Sequence, residues 1–292
     1  MAEKLKLPAH GQQHTILDLK QFGLPEVPLL GIHSQLRACP GLASHIHAGA
    51  MEICYLVKGE VFFSVEGRDY SLKGNELFWT HPDETHGSGY HVYDKCLLYW
   101  TQIVLPRRPA TFLGLAGQVA WPLVQKLRAM PSRRFRGHRK LKELFEEAFL
   151  LCQSPPSDLQ RLNLAAILTQ WLITVAECAS YGSTELYSAD IQRSVRLIEK
   201  NLAEPISVGD LAAAAGLSES RFKAKFREQS GIPPGEYVMR QRVQRAKELL
   251  EKTGQPITDI AYGLGFSSSQ YFANVFRRFL LIKPSDVRKR AT

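Results

Sequence analysis

The alternation of apolar and polar positions divides the 292-residue chain into stretches of different period. From about 29 to 105, short β-branched and aromatic runs (Ile53–Val57, Val61–Val65, Leu77–Thr80, Cys96–Val104) alternate with turn-forming stretches such as Lys58-Gly59-Glu60 and Glu66-Gly67-Arg68-Asp69. Several short strands at even spacing predict an all-β barrel or sandwich. Pro106-Arg-Arg-Pro109 marks the exit, and the period becomes helical. Leu141, Leu144, Phe145, Ala148, Phe149 and Cys152 fall on one helix face, with Lys142, Glu143, Glu146 and Glu147 opposite. After Pro155-Pro156, Asp158 is placed to cap a helix reaching about Ser180. Leu159, Leu162, Leu164, Ile167, Leu168, Trp171, Leu172, Ile173 and Val175 make it apolar nearly all round. More than one face must be buried, either by packing within the subunit alone or, as expected here, against the barrel on one side and a second subunit of a homodimer on the other. The short polar stretch Tyr181-Gly-Ser-Thr-Glu-Leu-Tyr-Ser188 reads as a linker, and a new helix begins near Asp190.

The remainder contains one pattern written twice. Asp210-Leu-Ala-Ala-Ala-Ala-Gly-Leu-Ser218, Phe222, Phe226 and Gly231-Ile-Pro-Pro234 are matched by Asp259-Ile-Ala-Tyr-Gly-Leu-Gly-Phe-Ser267, Phe272, Phe276 and Leu281-Ile-Lys-Pro284. Each copy reads as helix, turn, helix. Gly216 and Gly265 supply the conformationally free residue of the turn. Ser218, and one of Ser267, Ser268 and Ser269, are placed to cap the second helix, and Ser207 with Asp210 to cap the first. Between the copies, Pro234 to Lys252 reads as one continuous helix with proline at its start. It spans roughly 27 Å. That is close to the ~34 Å between successive major-groove faces on one side of B-DNA, so both second helices can engage double-stranded DNA.

Charge supports a polyanionic partner. Residues 188–292 hold 18 basic against 11 acidic residues, whereas 1–187 hold 19 against 17. In the first unit Phe222 and Phe226 take the core and leave Ser220, Lys223, Ala224 and Arg227 outward. In the second, Phe272, Phe276 and Phe279 leave Ser269, Gln270, Asn274, Arg277 and Arg278 outward. Gln and Asn pair with adenine, Lys and Arg with guanine or phosphate, although solvated helix residues of the same types are common.

Residues 190–290 resemble the DNA-binding domain of the AraC/XylS family of bacterial transcription regulators. The resemblance rests on the stretch Ile257 to Phe279 and on Lys283-Pro284. It implies sequence-specific promoter binding, usually activation through RNA polymerase, by a dimer whose N-terminal domain senses a small molecule. Leu281 departs from the family pattern, which has glycine there.

His45 and His47 lie two apart on an expected strand and so share a side. Ala48-Gly49-Ala50 can turn the chain so that Glu52 faces the same interior. The spacing His45, His47, Glu52, Gly59, followed by Gly74 and His86, resembles the two cupin motifs. That implies a cupin-like β-barrel with His45, His47, Glu52 and His86 as ligands. Three imidazoles and a carboxylate suit a divalent transition metal such as Zn, Ni, Mn or Fe; without metal the same residues would line a polar pocket. Trp79, Tyr55, Phe63 and Tyr99 are candidate aromatic walls.

The expected architecture is therefore α+β and multidomain. Residues 1–184 form a cupin-like sensing and dimerisation domain (barrel about 20–105, helices about 120–182). Residues 188–292 form an all-α double helix-turn-helix domain. The expected function is a DNA-binding regulator controlled by an effector such as a sugar or related metabolite. The alternatives are a cupin metalloenzyme with a DNA-binding appendage and a regulator that senses the metal itself; the second domain, which an enzyme does not need, favours regulation. Five cysteines without a Cys-x-x-Cys pair, no run of eighteen apolar residues and no signal segment suit a cytoplasmic protein away from the membrane.

Overall fold

A computed structural model describes residues 13–36, 38–89, 91–93, 95–180 and 187–291. The chain divides into two compact units, Met1–Leu36 with Gly41–Leu186, and Tyr187–Thr292 with Arg37–Pro40. The expected linker falls largely at 181–186, outside the described residues.

In the first unit the chain runs through β1 (Gln13–Asp18), β2 (Leu29–Gln35), β3 (Met51–Lys58), β4 (Glu60–Val65), β5 (Arg68–Lys73), β6 (Glu76–Thr80), β7 (His86–Gly87) and β8 (Cys96–Ile103). Then come helix α1 (Gly117–Arg128), strand β9 (Arg134–Arg136), and helices α2 (Arg139–Leu151) and α3 (Asp158–Ser180). Six strands form one sheet in the order β1-β2-β8-β3-β6-β9, and β5-β4-β7 form a second.

Both sheets are open, which corrects the expectation of a closed cupin barrel. Closure fails where β3 ends. The β3 register slips between Leu56 and Lys58, and Gly59 follows at φ 100°. A Cβ at Gly59 would meet the Lys95 carbonyl oxygen at 2.3 Å, so only glycine passes there. The bulge and turn carry β4 out of the large sheet into the small one. The edge of β6 that would have continued the sheet is taken instead by β9, with Leu77 opposite Phe135.

The register gives the large sheet two distinct faces. Ile32, Ile53, Tyr55, Leu77, Trp79 and Tyr99 point to the helices and join Leu141, Phe145, Leu168, Trp171 and Val175 in one core. The opposite face carries Gly31, His33 and Gln35 on β2, Glu52 and Cys54 on β3, Phe78 and Thr80 on β6, and Trp100 and Gln102 on β8. The small sheet meets this second face, with Phe63 stacked on Phe78 at 4.4 Å. The aromatic walls thus separate. Phe63 lies between the sheets, whereas Tyr55, Tyr99 and Trp79 face the helices, where Tyr55 and Tyr99 donate to Asn75 and Glu146.

The helical periodicity of α2 appears as expected, with Leu141, Phe145, Ala148 and Phe149 buried. Helix α3 is buried along its C-terminal two-thirds, while Leu159 and Leu162 remain 68% and 65% exposed. It is the one described helix long and apolar enough to cross a membrane by length and composition; half of that window is buried inside the unit.

The second unit is all helical: α4 (Ala189–Lys200), α5 (Val208–Ala215), α6 (Glu219–Ser230), α7 (Pro234–Lys252), α8 (Ile257–Gly263), α9 (Ser269–Leu280) and α10 (Pro284–Ala291). Ser207 and Asp210 form a reciprocal capping box on α5. Ser268 caps α9 by accepting from Tyr271 N, whereas the Ser218 side chain makes no capping bond on α6. Gly216 and Gly265 take the left-handed conformation at φ 71° and 72°. At Gly265 the constraint is double, because a Cβ would meet Ala203 O at 2.7 Å and Arg242 Nη2 at 2.8 Å. Arg242, almost fully buried in α7, donates to the carbonyls of Leu202, Glu204 and Gly265. One guanidinium therefore fastens the segment after α4 and the turn of the second helix-turn-helix to the connecting helix.

Candidate functional site

In both repeats the second helix buries its phenylalanines and turns a polar face outward. In α6, Phe222 and Phe226 are fully buried, and the rings of Phe226 and Tyr237 meet edge-on at 5.4 Å, locking α6 on α7. Ser220, Lys223 and Arg227 are exposed on the other side, and Lys223 pairs with Glu219 at 3.0 Å one turn back. In α9, Phe272, Phe276 and Phe279 join Ile260, Ala261, Leu264 and Phe266 in a separate core. Gln270, Asn274, Arg277 and Arg278 are exposed, whereas Ser269 at the first turn is half-buried. Tyr271, 46% exposed on the same outward face, was not singled out from the sequence. Its spacing to Asn274 and Arg278 was the available signal, masked by treating aromatic residues as core.

The first unit brings His45, His47, Glu52 and His86 together, although not on two neighbouring barrel strands. His45 lies in an isolated bridge to His86, and His47 lies in the loop before β3. Two further ties hold these loops: Asp83 N donates to His47 O at 3.1 Å, and Gly49 N donates to Asp83 Oδ1 at 2.9 Å. Arg133 clamps the loop from below through a bidentate pair with Glu84, at 2.5 and 2.8 Å.

Ligand atoms of His45, His47 and His86 lie within 4.8 Å of one another, so the cluster is able to coordinate a metal ion. Glu52 Oε2 is 2.9 Å from His47 Nε2, and Oε1 is 3.8 Å from His86 Nε2. His45 and His86 each donate Nδ1–H to a backbone carbonyl, Ala43 O and Glu84 O, both at 2.9 Å. Those bonds leave each Nε2 with its lone pair, the tautomer a metal requires. His86 Nε2 is buried without a hydrogen-bond partner. Sequence reasoning missed two supporting residues. Gln102 Nε2 donates to His47 Nδ1 at 2.9 Å, and Cys54 Sγ donates to Glu52 Oε1 at 3.2 Å. Gln102 follows from the register that sets it opposite Glu52, which strand parity alone does not give, whereas Cys54 is two residues on from Glu52 along β3 and so shares its face.

The electrostatics favour an ionised Glu52 carboxylate beside the imidazoles. Burial opposes ionisation of Glu52, but the His47 hydrogen bond and the neighbouring imidazoles hold its carboxyl below the usual range. Burial likewise pushes the His86 imidazole below its ordinary value. The Cys54 thiol, buried beside that carboxylate, is pushed well up and stays protonated.

Comparison with known proteins covers both units. Residues 40–172 match the model of the AraC-like ligand binding domain, and residues 211–290 match that of a helix-turn-helix domain. The HTH-type transcriptional activator RhaS of Escherichia coli (strain K12 / DH10B) is 26% identical over 246 residues, covering 83% of this chain and 86% of that protein. The probable transcriptional regulator LumQ of Photobacterium leiognathi is 40% identical over 128 residues. That match covers 41% of this chain and about half the length of LumQ, 51%. Among solved structures, an AraC-type transcriptional regulator from Chromobacterium violaceum aligns with TM-score 0.34 and 31% identity over 35% of this chain and 92% of that one. No cupin sensor emerges from the open sheets, and these relatives are regulators rather than enzymes, so the metalloenzyme alternative falls away. The chain is an AraC/XylS-type DNA-binding transcriptional regulator.

Proposed function

We propose that this protein is a sequence-specific transcription activator that works as a homodimer in the cytoplasm and is controlled by a small molecule held between the sheets of its N-terminal unit. The observation that carries the DNA-reading part is the repeated geometry of α6 and α9, each with its aromatic side locked in a core and its polar side free. Gln270 and Asn274 would read adenine edges in one half-site and Lys223 a guanine in the other. Arg277 and Arg227 would hold phosphates, and Ser220 and Ser269 would contact the backbone.

The effector reading is supported by polar atoms buried without partners on the face of the large sheet turned from the helices. These are His33 Nε2, Gln35 Oε1 and Thr80 Oγ1, joined by His86 Nε2 from β7 of the small sheet. Such atoms cost free energy unless a ligand satisfies them. A hydroxyl-rich metabolite such as a sugar has the matching donors and acceptors. His45, His47, His86 and Glu52 would hold a divalent transition metal (Zn, Ni, Mn or Fe), which when bound offers a Lewis-acid position to an effector oxygen. Leu159 and Leu162 on α3, with Val119 on α1, are the exposed apolar positions from which the dimer would be built. As an activator it would contact RNA polymerase at the promoter.

The test is to map chromosomal binding sites of the full-length protein and to fuse the bound promoters to a reporter. The expected result is a shared sequence motif, and reporter output that depends on the protein and falls in Asn274→Ala. Binding without a common motif, or promoters indifferent to loss of the protein, would remove the reading.

A further inference from the structure

On the helical side of the first unit, well away from the imidazole cluster in sequence, lies a recess of about 360 Å³. It is lined by Arg136, Gly137, His138, Lys140, Thr174 and Cys178, with Glu177 as its one acid. Its volume falls within the ~300–1,000 Å³ typical of small-molecule sites. Nothing in the DNA-reading or inter-sheet readings uses these residues.

The recess is built on rigid supports. Gly137 N donates to Asn75 O at 2.8 Å, and Tyr55 donates to Asn75 Oδ1 at 2.6 Å. A Cβ at Gly137 would meet the Tyr55 ring at 2.6 Å, so the backbone is pressed onto the core there. Arg136 and His138 are thereby fixed on either side of the pinned glycine. Thr174, Glu177 and Cys178 lie at i, i+3 and i+4, one stripe along the last turns of α3.

Its lining combines three basic side chains from the segment leading into α2 with two small side chains and one acid from α3. His138 Nδ1 accepts from Lys140 N, which leaves Nε2–H as a donor. On either side of Lys140, Arg139 pairs with Glu143 and Lys142 with Glu146. Lys140 has no anionic partner among the described residues, and the first turn of α2 holds no acid. The methyl of Thr174 and the thiol of Cys178 supply the apolar side; burial pushes that thiol up to about 11, so it is uncharged at neutral pH.

We infer that this recess binds a small organic anion, its carboxylate or phosphate headgroup against Lys140, Arg136 and His138 and its apolar body against Thr174 and Cys178. The protein then has a second small-molecule input, separate from the effector proposed between the sheets.

The test uses full-length protein carrying His47→Ala and treated with chelator, so that an anion on an inter-sheet metal cannot be mistaken for this site. Thermal melting and calorimetry are followed with inorganic phosphate, phenyl phosphate, acetate and phenylacetate. A phenyl-bearing anion of either headgroup should raise Tm and bind at least about tenfold more tightly than its bare headgroup, because the ring buries apolar surface. Lys140→Gln should weaken it about tenfold through loss of a charge-assisted bond. Cys178→Phe, which fills the recess, should abolish it while leaving the ligand-free melt cooperative. The inference is overturned if neither phenyl-bearing anion binds below about 1 mM. It is also overturned if chloride at equal ionic strength reproduces the effect, or if both variants bind like the parent. Failure here leaves the inter-sheet reading untouched, since that reading rests on the buried polar atoms between the sheets and not on the residues of this recess.

Discussion

His45 and His86 are joined by a two-way backbone bridge, His45 N to His86 O at 2.9 Å and His86 N to His45 O at 3.0 Å, with their rings 4.3 Å apart. The bridge ties the segment before β3 to β7, a strand of the small sheet, and so fixes two imidazoles before any cation arrives. Preorganisation of this kind lowers the ordering cost of a bound ion.

Purified, untagged protein should therefore carry about one divalent ion per chain by elemental analysis, the number the single cluster allows. His47→Ala and His86→Ala should each lose it, and Glu52→Gln should weaken it by about 10–100-fold. Cation binding releases the proton that His47 shares with Glu52, so affinity should fall as pH drops. Metal-free protein after growth and purification in zinc-, nickel-, manganese- and iron-replete conditions would retire the metal.

His33 gives a pH dependence of stability that is independent of the metal. Burial first, and the nearby His14 second, hold its imidazole down at about 4. Its ring meets those of His14 and Tyr93, at 5.7 and 5.4 Å, and Gln35 lies two residues on along the same face. In the unfolded chain the same group titrates near 6.5, so the unfolded state takes up a proton first as pH falls. Stability from this site is complete above about 6.5 and is lost progressively down to about 4, on the order of 3 kcal/mol in all. Urea melts between pH 7.5 and 5 should show the decline in the parent and a flatter profile in His33→Gln. Parallel profiles would contradict the assignment.

How much of this was legible in the sequence depends on whether the determinant is local. The connecting helix was read as Pro234 to Lys252 and forms over those residues, because proline, period and charge are all local signals. The sheet closure was misread for the opposite reason. The exit of β4 at Gly59 and the capture of the β6 edge by Arg134–Arg136 depend on residues far apart in the chain. The ligand cluster was legible as a spacing, and Cys54 shares the face of Glu52 by parity, but the support from Gln102 depends on the pairing of β3 with β8.

Leu281 occupies a position where the family has glycine, and it adopts the left-handed conformation at φ 59° as the C-cap of α9. Its amide donates to Arg277 O at 2.9 Å, so the turn is held despite a conformation that costs a non-glycine residue about 1 kcal/mol or more. Leu281→Gly should stabilise the protein by roughly 0.5–1 kcal/mol, the strain relieved less the entropy glycine adds to the unfolded chain. Chemical denaturation would check this, and a destabilised variant would mean that Leu281 contributes packing the exposed side chain does not suggest.

The last prediction separates base readers from phosphate holders on the two outward helix faces. Gln270→Ala and Asn274→Ala should relax discrimination in one half of the operator and Lys223→Ala in the other, each at a cost of about 1–3 kcal/mol on the cognate site. Lys223 must first leave Glu219, an exposed pair worth little, so its effect should lie at the low end. Arg277→Ala should weaken binding to every sequence alike and reduce the salt dependence by about one counterion. Tyr271, on the same face as Gln270 and Asn274, offers a phenol to phosphate or a ring to a thymine methyl, and Tyr271→Phe distinguishes the two. Loss in that variant marks the hydroxyl; retention marks the ring. Selection from a randomised operator library, read by sequencing for each variant, measures all of these at once. Identical losses across the library for Gln270, Asn274, Lys223 and Arg277 would show that none of them reads a base, and would move the specificity of this protein to the shape of its DNA.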